Sequence, residues 1–196
     1  EKFLAAISIA TSIITMIFWS FGFLRMGTVG IVSQSLGKND WDEIILVFVR
    51  NLIIALFFGF LLIFLKDSIL SLTEHFFKIS EETQILINKY VSIRIFSAPA
   101  ELILYVITGL YLGLQKTKIV SLGISMFCIG NIIISSILVI HYKLEITGVA
   151  AGTLISAYST VIILLLFSYF KLKNKFSEKI VAKKIFNAKK LLKLLN

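Results

Sequence analysis

The chain is poor in the residues that soluble folds and enzymes rely on. Its 196 residues hold one cysteine, one proline and two histidines, and only 16% are charged. The lone Cys128 can form no disulfide within the chain, and no Cys/His spacing suits zinc. No GxSxG, HExxH, Walker A or GxGxxG pattern occurs, so neither catalysis nor a metal site is expected. What fills the chain is apolar. The hydrophobic fraction is 58% and the mean hydropathy is +0.94, more than one water-facing core of this size can hide. Five long stretches carry it, at 3–24, 44–65, 85–114, 119–140 and 149–170. Each offers the roughly 20 residues that cross about 30 Å of hydrocarbon. Inside a bilayer each must be a helix, because only then are its backbone groups paired internally. The fold class expected is all-α, a polytopic transmembrane helix bundle of five spans over 1–170, followed by a basic amphipathic tail over 171–196.

Charge gives an orientation. Lys and Arg outnumber Asp and Glu by 20 to 11, and the segment from Lys171 onward carries nine lysines against one acid, Glu178. The positive-inside rule places that tail in the cytoplasm, and an odd number of spans then places Glu1 outside. Lys116 and Lys118 fall on an inside turn in agreement, while Lys66 and Lys78 fall on an outside loop. No signal peptide is recognisable at the start. The chain is expected to be a piece of a longer protein, from which one preceding helix is missing. On a helical wheel the tail gathers Phe176, Ile180, Ile185 and several leucines opposite Lys175, Lys179, Lys183 and Lys190. Such a helix suits an anionic leaflet; a plain basic linker is the other reading, and nucleic acid is not an expected partner.

Local signals subdivide the spans. Asp40 with Glu43, and Ser80 with Glu81 and Glu82, read as helix N-caps. Pro99, inside the third stretch, removes a backbone bond and predicts a kink, either a bending point or a static packing feature. Ser33/Gly37, Gly109/Gly113 and Gly148/Gly152 are small pairs at four-residue spacing, suited to close helix contact. Arg25 and Arg50 read as anchors snorkelling to the inner surface.

Polar groups at membrane depth are the candidate site, because burying them is costly. Asn131 and Ser135 share a face of the fourth stretch, and Thr153, Ser156 and Thr160 form a stripe on the fifth. Together they could line a hydrophilic pocket, or the hydroxyls could bond back to their own helices and join them. Asn131 favours the pocket, since an amide is hard to satisfy on its own helix. Glu101 lies seven residues after Arg94, two turns along one face. A direct pair would need a water or a bend at Pro99. Glu101 reads as a protonatable coupling group, a neutral buried acid or a partner for arginine.

The segment from Phe23-Leu24-Arg25-Met26-Gly27 through Gln34-Ser35-Leu36-Gly37 resembles the second helix of the multidrug and toxic compound extrusion (MATE) family, in its DinF-like branch. Ser97-Ala98-Pro99-Ala100, Gly113-Leu114-Gln115, Asn131-Ile132-Ile133-Ile134 and Gly148-Val149-Ala150-Ala151-Gly152-Thr153 continue the resemblance in order. It implies helices two to six of the first of two six-helix lobes, the first helix and the second lobe lying outside this chain. It also implies a secondary active antiporter of the bacterial cytoplasmic (inner) membrane. Such a protein exports cationic or amphipathic compounds in exchange for protons or sodium ions, by alternating access between lobes. No cofactor is implied. Asn131 and Thr153 match positions of the branch's cation site, a possible sodium site. The acid that branch carries four residues after the asparagine is Ser135 here, which does not titrate near neutral pH. Glu101 or the missing helices would then supply the coupling acid. A lipid-linked oligosaccharide flippase of related fold and a non-transporting scaffold subunit are the alternative readings.

Overall fold

The computed structural model describes residues 2–76 and 80–175. The basic tail beyond Lys175, and with it the expected amphipathic helix, lies outside the described residues. These form helices throughout, with no strand among them. Five helical runs are long and apolar enough to span a membrane: Phe3–Gly37, Trp41–Phe64, Glu81–Gly113, Thr117–His141 and Glu145–Leu172. The chain is a bundle of membrane helices, and its outer surface displays Trp19, Phe57, Phe64, Ile132 and Phe170, side chains that lipid solvates at no cost.

Two of the five runs are interrupted. The first divides at Ser20 and Phe21 into α1 (Lys2–Trp19) and α2 (Gly22–Gly37), where the hydrophobic pattern had predicted an unbroken rod. The third divides into α5 (Glu81–Arg94) and α6 (Ala98–Gly113), joined by a 3₁₀ turn at Ile95–Ser97. Pro99 therefore sits in the first turn of α6 and not in a helix interior. There its missing N–H costs nothing, and the break falls just before it. The remaining elements are α3 (Trp41–Phe64), α4 (Lys66–Phe76), α7 (Thr117–Ser136) and α8 (Glu145–Leu172), with one π-helical turn at Ile137–His141 after α7. The connection after α3, read from sequence only as an outside loop, holds α4. Ile69 and Leu70 of α4 pack against the core.

α6 is the axis of the bundle. Its Leu102, Val106, Ile107, Leu110 and Tyr111 are all buried, and α2 and α3 run along it while α1 lies on α5 and α7 on α8. Small residues set these distances. A β-carbon on Gly109 would stand 2.8 Å from the Arg25 carbonyl oxygen, and one on Gly113 would stand 2.7 Å from Val32 Cβ. One on Gly59 of α3 would meet Pro99 Cα at 2.5 Å. The pair Ser33/Gly37 is not such a contact: nothing lies within 4 Å of a β-carbon on Gly37, and Ser33 donates to its own helix at Gly30.

The turns carry their own signals. Asn39 and Gln115 take the left-handed conformation, with φ of 55° and 58°. Each lets the next backbone N–H reach back five residues, Asp40 to Ser35 at 2.9 Å and Lys116 to Tyr111 at 2.8 Å. Asp40 caps α3 as expected, accepting from the Glu43 N–H at 3.0 Å. Replacing Asp40 with alanine is expected to cost about 1 kcal/mol, read as a lower melting temperature in detergent. Ser80 occupies the cap position of α5 but makes no cap bond; its hydroxyl pairs with that of Thr83 at 2.9 Å.

Candidate cation and substrate site

α7 and α8 meet where Gly152 lies against the backbone of Ser135 and Gly130 lies against Ser156. That close approach brings Asn131 of α7 to α8. Asn131 Oδ1 accepts from Ser135 Oγ at 2.8 Å on its own helix and from Thr153 Oγ1 at 3.4 Å across the interface. Thr153 shares its one proton with the Val149 carbonyl at 3.0 Å, the shorter bond. Ser156 is fully committed to its own helix, donating to the Gly152 carbonyl at 2.7 Å. Thr153, Ser156 and Thr160 are buried, and Asn131 and Ser135 are half-buried. Three neutral oxygens thus converge at membrane depth. A hard cation takes oxygen ligands of this kind, and no carboxylate stands among these three.

Glu101 is elsewhere. The helix breaks between Arg94 and Glu101 at the 3₁₀ turn, and the pair closes directly, Arg94 Nη2 to Glu101 Oε1 at 2.6 Å, without an intervening water. Both side chains are nearly buried, 11% and 13% exposed. Arg94 Nη1 also donates to Ser97 Oγ, and Ser97 donates to the Arg94 carbonyl at 2.7 Å. The guanidinium stacks over Phe18 at 5.5 Å. From α8 the Tyr158 hydroxyl reaches into the turn and donates to the Phe96 carbonyl at 3.0 Å. The expected set therefore divides in two. Asn131, Ser135 and Thr153 form one group between α7 and α8; Glu101 and Pro99 belong to the broken helix, and α8 touches both.

One polar contact escaped the sequence reading, and one polar residue was placed wrongly. Asn51 on α3 is buried and donates to Thr28 Oγ1 of α2 at 2.6 Å. Its neighbour Arg50 is only 2% exposed. Arg50 is thus buried, where the sequence had suggested an anchor at the inner surface. Arg25 is exposed and lies over Tyr105 at 5.7 Å. The signal for Asn51 was present, two adjacent polar residues inside a 24-residue apolar helix, but no spacing rule pointed to Thr28.

Comparison with known families gives a match of the MatE profile to residues 1–138. The chain belongs to the MatE family. It is 29% identical over 164 residues to DNA damage-inducible protein F of Escherichia coli (strain K12), covering 84% of this chain and 36% of that protein. The MatE chain also superposes on an inward-facing conformation of a multidrug resistance MATE family transporter of the MOP superfamily. That match has a TM-score of 0.78 and 21% identity, over 86% of this chain and 38% of the transporter. An outward-facing conformation gives 0.80 and 20% identity, over 93% and 42%. A MOP superfamily transporter from Pyrococcus furiosus, described as having a binding pocket of reverse polarity, gives 0.80 and 21% over 91% and 41%. At these identities the superpositions speak for the fold. The MatE chain spans about two-fifths of the length of these relatives.

Proposed function

We propose that this chain is helices two to six of the first lobe of a secondary efflux carrier. The carrier would export cationic or amphipathic compounds by antiport with protons or sodium ions, the two lobes alternating access. MatE membership supports the transport class and does not favour the flippase or scaffold readings. The observation that carries the site is the Asn131 amide held between Ser135 and Thr153 where α7 meets α8. An amide oxygen and two hydroxyls can take a desolvated cation but cannot exchange a proton near neutral pH. Glu101 is occupied by Arg94, so we assign the coupling carboxylate to the family's first helix, outside this chain. The end bearing Lys38, Lys116, Lys118 and Lys171 faces the cytoplasm in this reading, by the positive-inside rule.

Asn131→Ala in the full-length protein is expected to lower export about tenfold, the worth of roughly one hydrogen bond to a charged group, while membrane abundance stays at the native level. The measurement is accumulation of a fluorescent cation inside inverted vesicles, normalised to protein. Unchanged export would remove Asn131 from the site.

A further inference from the structure

At the lysine-rich end of the bundle a groove of about 320 Å³ opens between α3 and α8. Its walls are Phe48 and Leu52 from α3 with Leu165, Tyr169 and Leu172 from α8. Of the two hydroxyl-bearing residues on its wall, Ser168 and Tyr169, Ser168 is already spent, donating to the Leu164 carbonyl and pairing with Tyr111 at 2.9 Å. The other six lining residues are apolar. Lysines crowd the same end. Lys171 lies over the Phe167 ring at 5.0 Å, and Lys175 lies over the Trp41 ring at 3.1 Å, bridging the start of α3 and the end of α8. Lys116 is half-buried, fixed by the left-handed Gln115 beside it. Burial, then the positive charges of Lys171 and Lys175, hold its ammonium below the ordinary lysine value. Among the described residues, the acids at the start of α3 are Asp40, which caps the helix, and Asp42 and Glu43 in its first turn, where the helix dipole favours them.

We propose that this place binds one anionic phospholipid, its headgroup phosphate on Lys116, Lys171 and Lys175 and an acyl chain along the groove between α3 and α8. Lys116 feels the charges of Lys171 and Lys175, and an anion among the three would relieve that repulsion. An apolar furrow beginning one residue from Lys171, at Leu172, needs a hydrocarbon. An amphiphile with a negative head meets both needs at once, and a bilayer supplies it at the depth where Trp41 marks the interface. Free phosphate would satisfy the lysines and leave the furrow unfilled. The site does not depend on the transport reading.

The test is native mass spectrometry of the full chain, purified in mild detergent and stripped of lipid. It is titrated with phosphatidylglycerol and, separately, with phosphatidylcholine of identical chains. Phosphatidylglycerol is expected to bind more tightly. The double variant Lys171→Gln/Lys175→Gln is expected to weaken it about 25-fold, at roughly fivefold for each lysine near the surface. The double arginine variant should retain binding, which separates lost charge from misfolding. Lys89→Gln, on the exposed face of α5 toward the other end, should change nothing. Leu52→Trp, which fills the furrow and leaves the charge alone, should also weaken the adduct. Equal binding of the two lipids would overturn the proposal, as would full retention in the glutamine variant. So would displacement by inorganic phosphate at concentrations matching the lipid, which would mark a free-anion site. Intact binding in Leu52→Trp would show that something other than an acyl chain occupies the furrow.

Discussion

Replacing Gly152 with alanine is expected to destabilise the bundle by about 1–3 kcal/mol, and valine by more. The added β-carbon would press on Ser135 Oγ and stand 2.7 Å from both the Cα and the backbone nitrogen of Ser135. A hydroxyl can rotate away, but backbone cannot, so α7 as a whole must move off α8. That movement also parts Asn131 from Thr153, whose bond is already long at 3.4 Å. The substitution should therefore lower the melting temperature and impair the candidate site together. Gly27→Ala is the matched control. Gly27 is in a helix, and nothing lies within 4 Å of its added β-carbon, so alanine there is expected to be neutral or to gain up to about 1 kcal/mol of helix propensity. Thermal unfolding in detergent measures both. Equal melting of the two variants would show that α7 and α8 do not meet as closely as described.

Arg94→Ala carries the second large effect, an expected loss of about 3–5 kcal/mol. It removes the guanidinium that holds Glu101 at 2.6 Å and leaves a nearly buried carboxylate without its partner. It also strips Ser97 of a donor and Phe18 of its cation. Removing both charges is the informative companion. Arg94→Met with Glu101→Leu should recover most of the stability, because the cost lies in the orphaned charge more than in the lost attraction. A double variant as unstable as the single one would mean that the arginine acts through Ser97 and Phe18 alone. If the double variant is folded and still exports, the pair is a structural clasp on the broken helix. If it is folded and inactive, Glu101 belongs to the transport machinery.

Much of this architecture was legible in the residues, because a membrane imposes simple rules. Lengths of apolar sequence near 20 residues locate the spans, and an Asp40–Glu43 pair marks where α3 begins, since a carboxylate accepting a helix-end N–H is a local event. Asn131 and Ser135 were recognisable as a pair because i, i+4 spacing fixes a shared face on one helix, and Thr153 stood out through the polar stripe on the next span and the family resemblance. Other features were not legible. Ser156 looked like a pocket residue, yet its hydroxyl turns back on Gly152. Whether a serine bonds along its helix or across to a neighbour depends on a rotamer that spacing does not choose. Glu101 and Arg94 were expected to pair only through a water or a bend at Pro99, and spacing could not choose between the two; the 3₁₀ turn at Ile95–Ser97, just before Pro99, changes the rise and the phase between them. Arg50 looked like an anchor because its distance from the span's end was right, but distance along a helix says nothing of which side faces the bundle.

The sequence by itself determined that the chain lives in lipid, that it crosses five times as helices, and which end bears the positive charge. Those properties are sums over many residues, and no single contact can reverse them. The tertiary structure alone decided where the helices break, which glycines let neighbours touch, and which polar groups meet. Such outcomes rest on distances of a few tenths of an ångström between residues far apart in the chain, such as Gly59 against Pro99 and Gly152 against Ser135. Close packing fixes those distances, and no pattern read along one strand of sequence contains them.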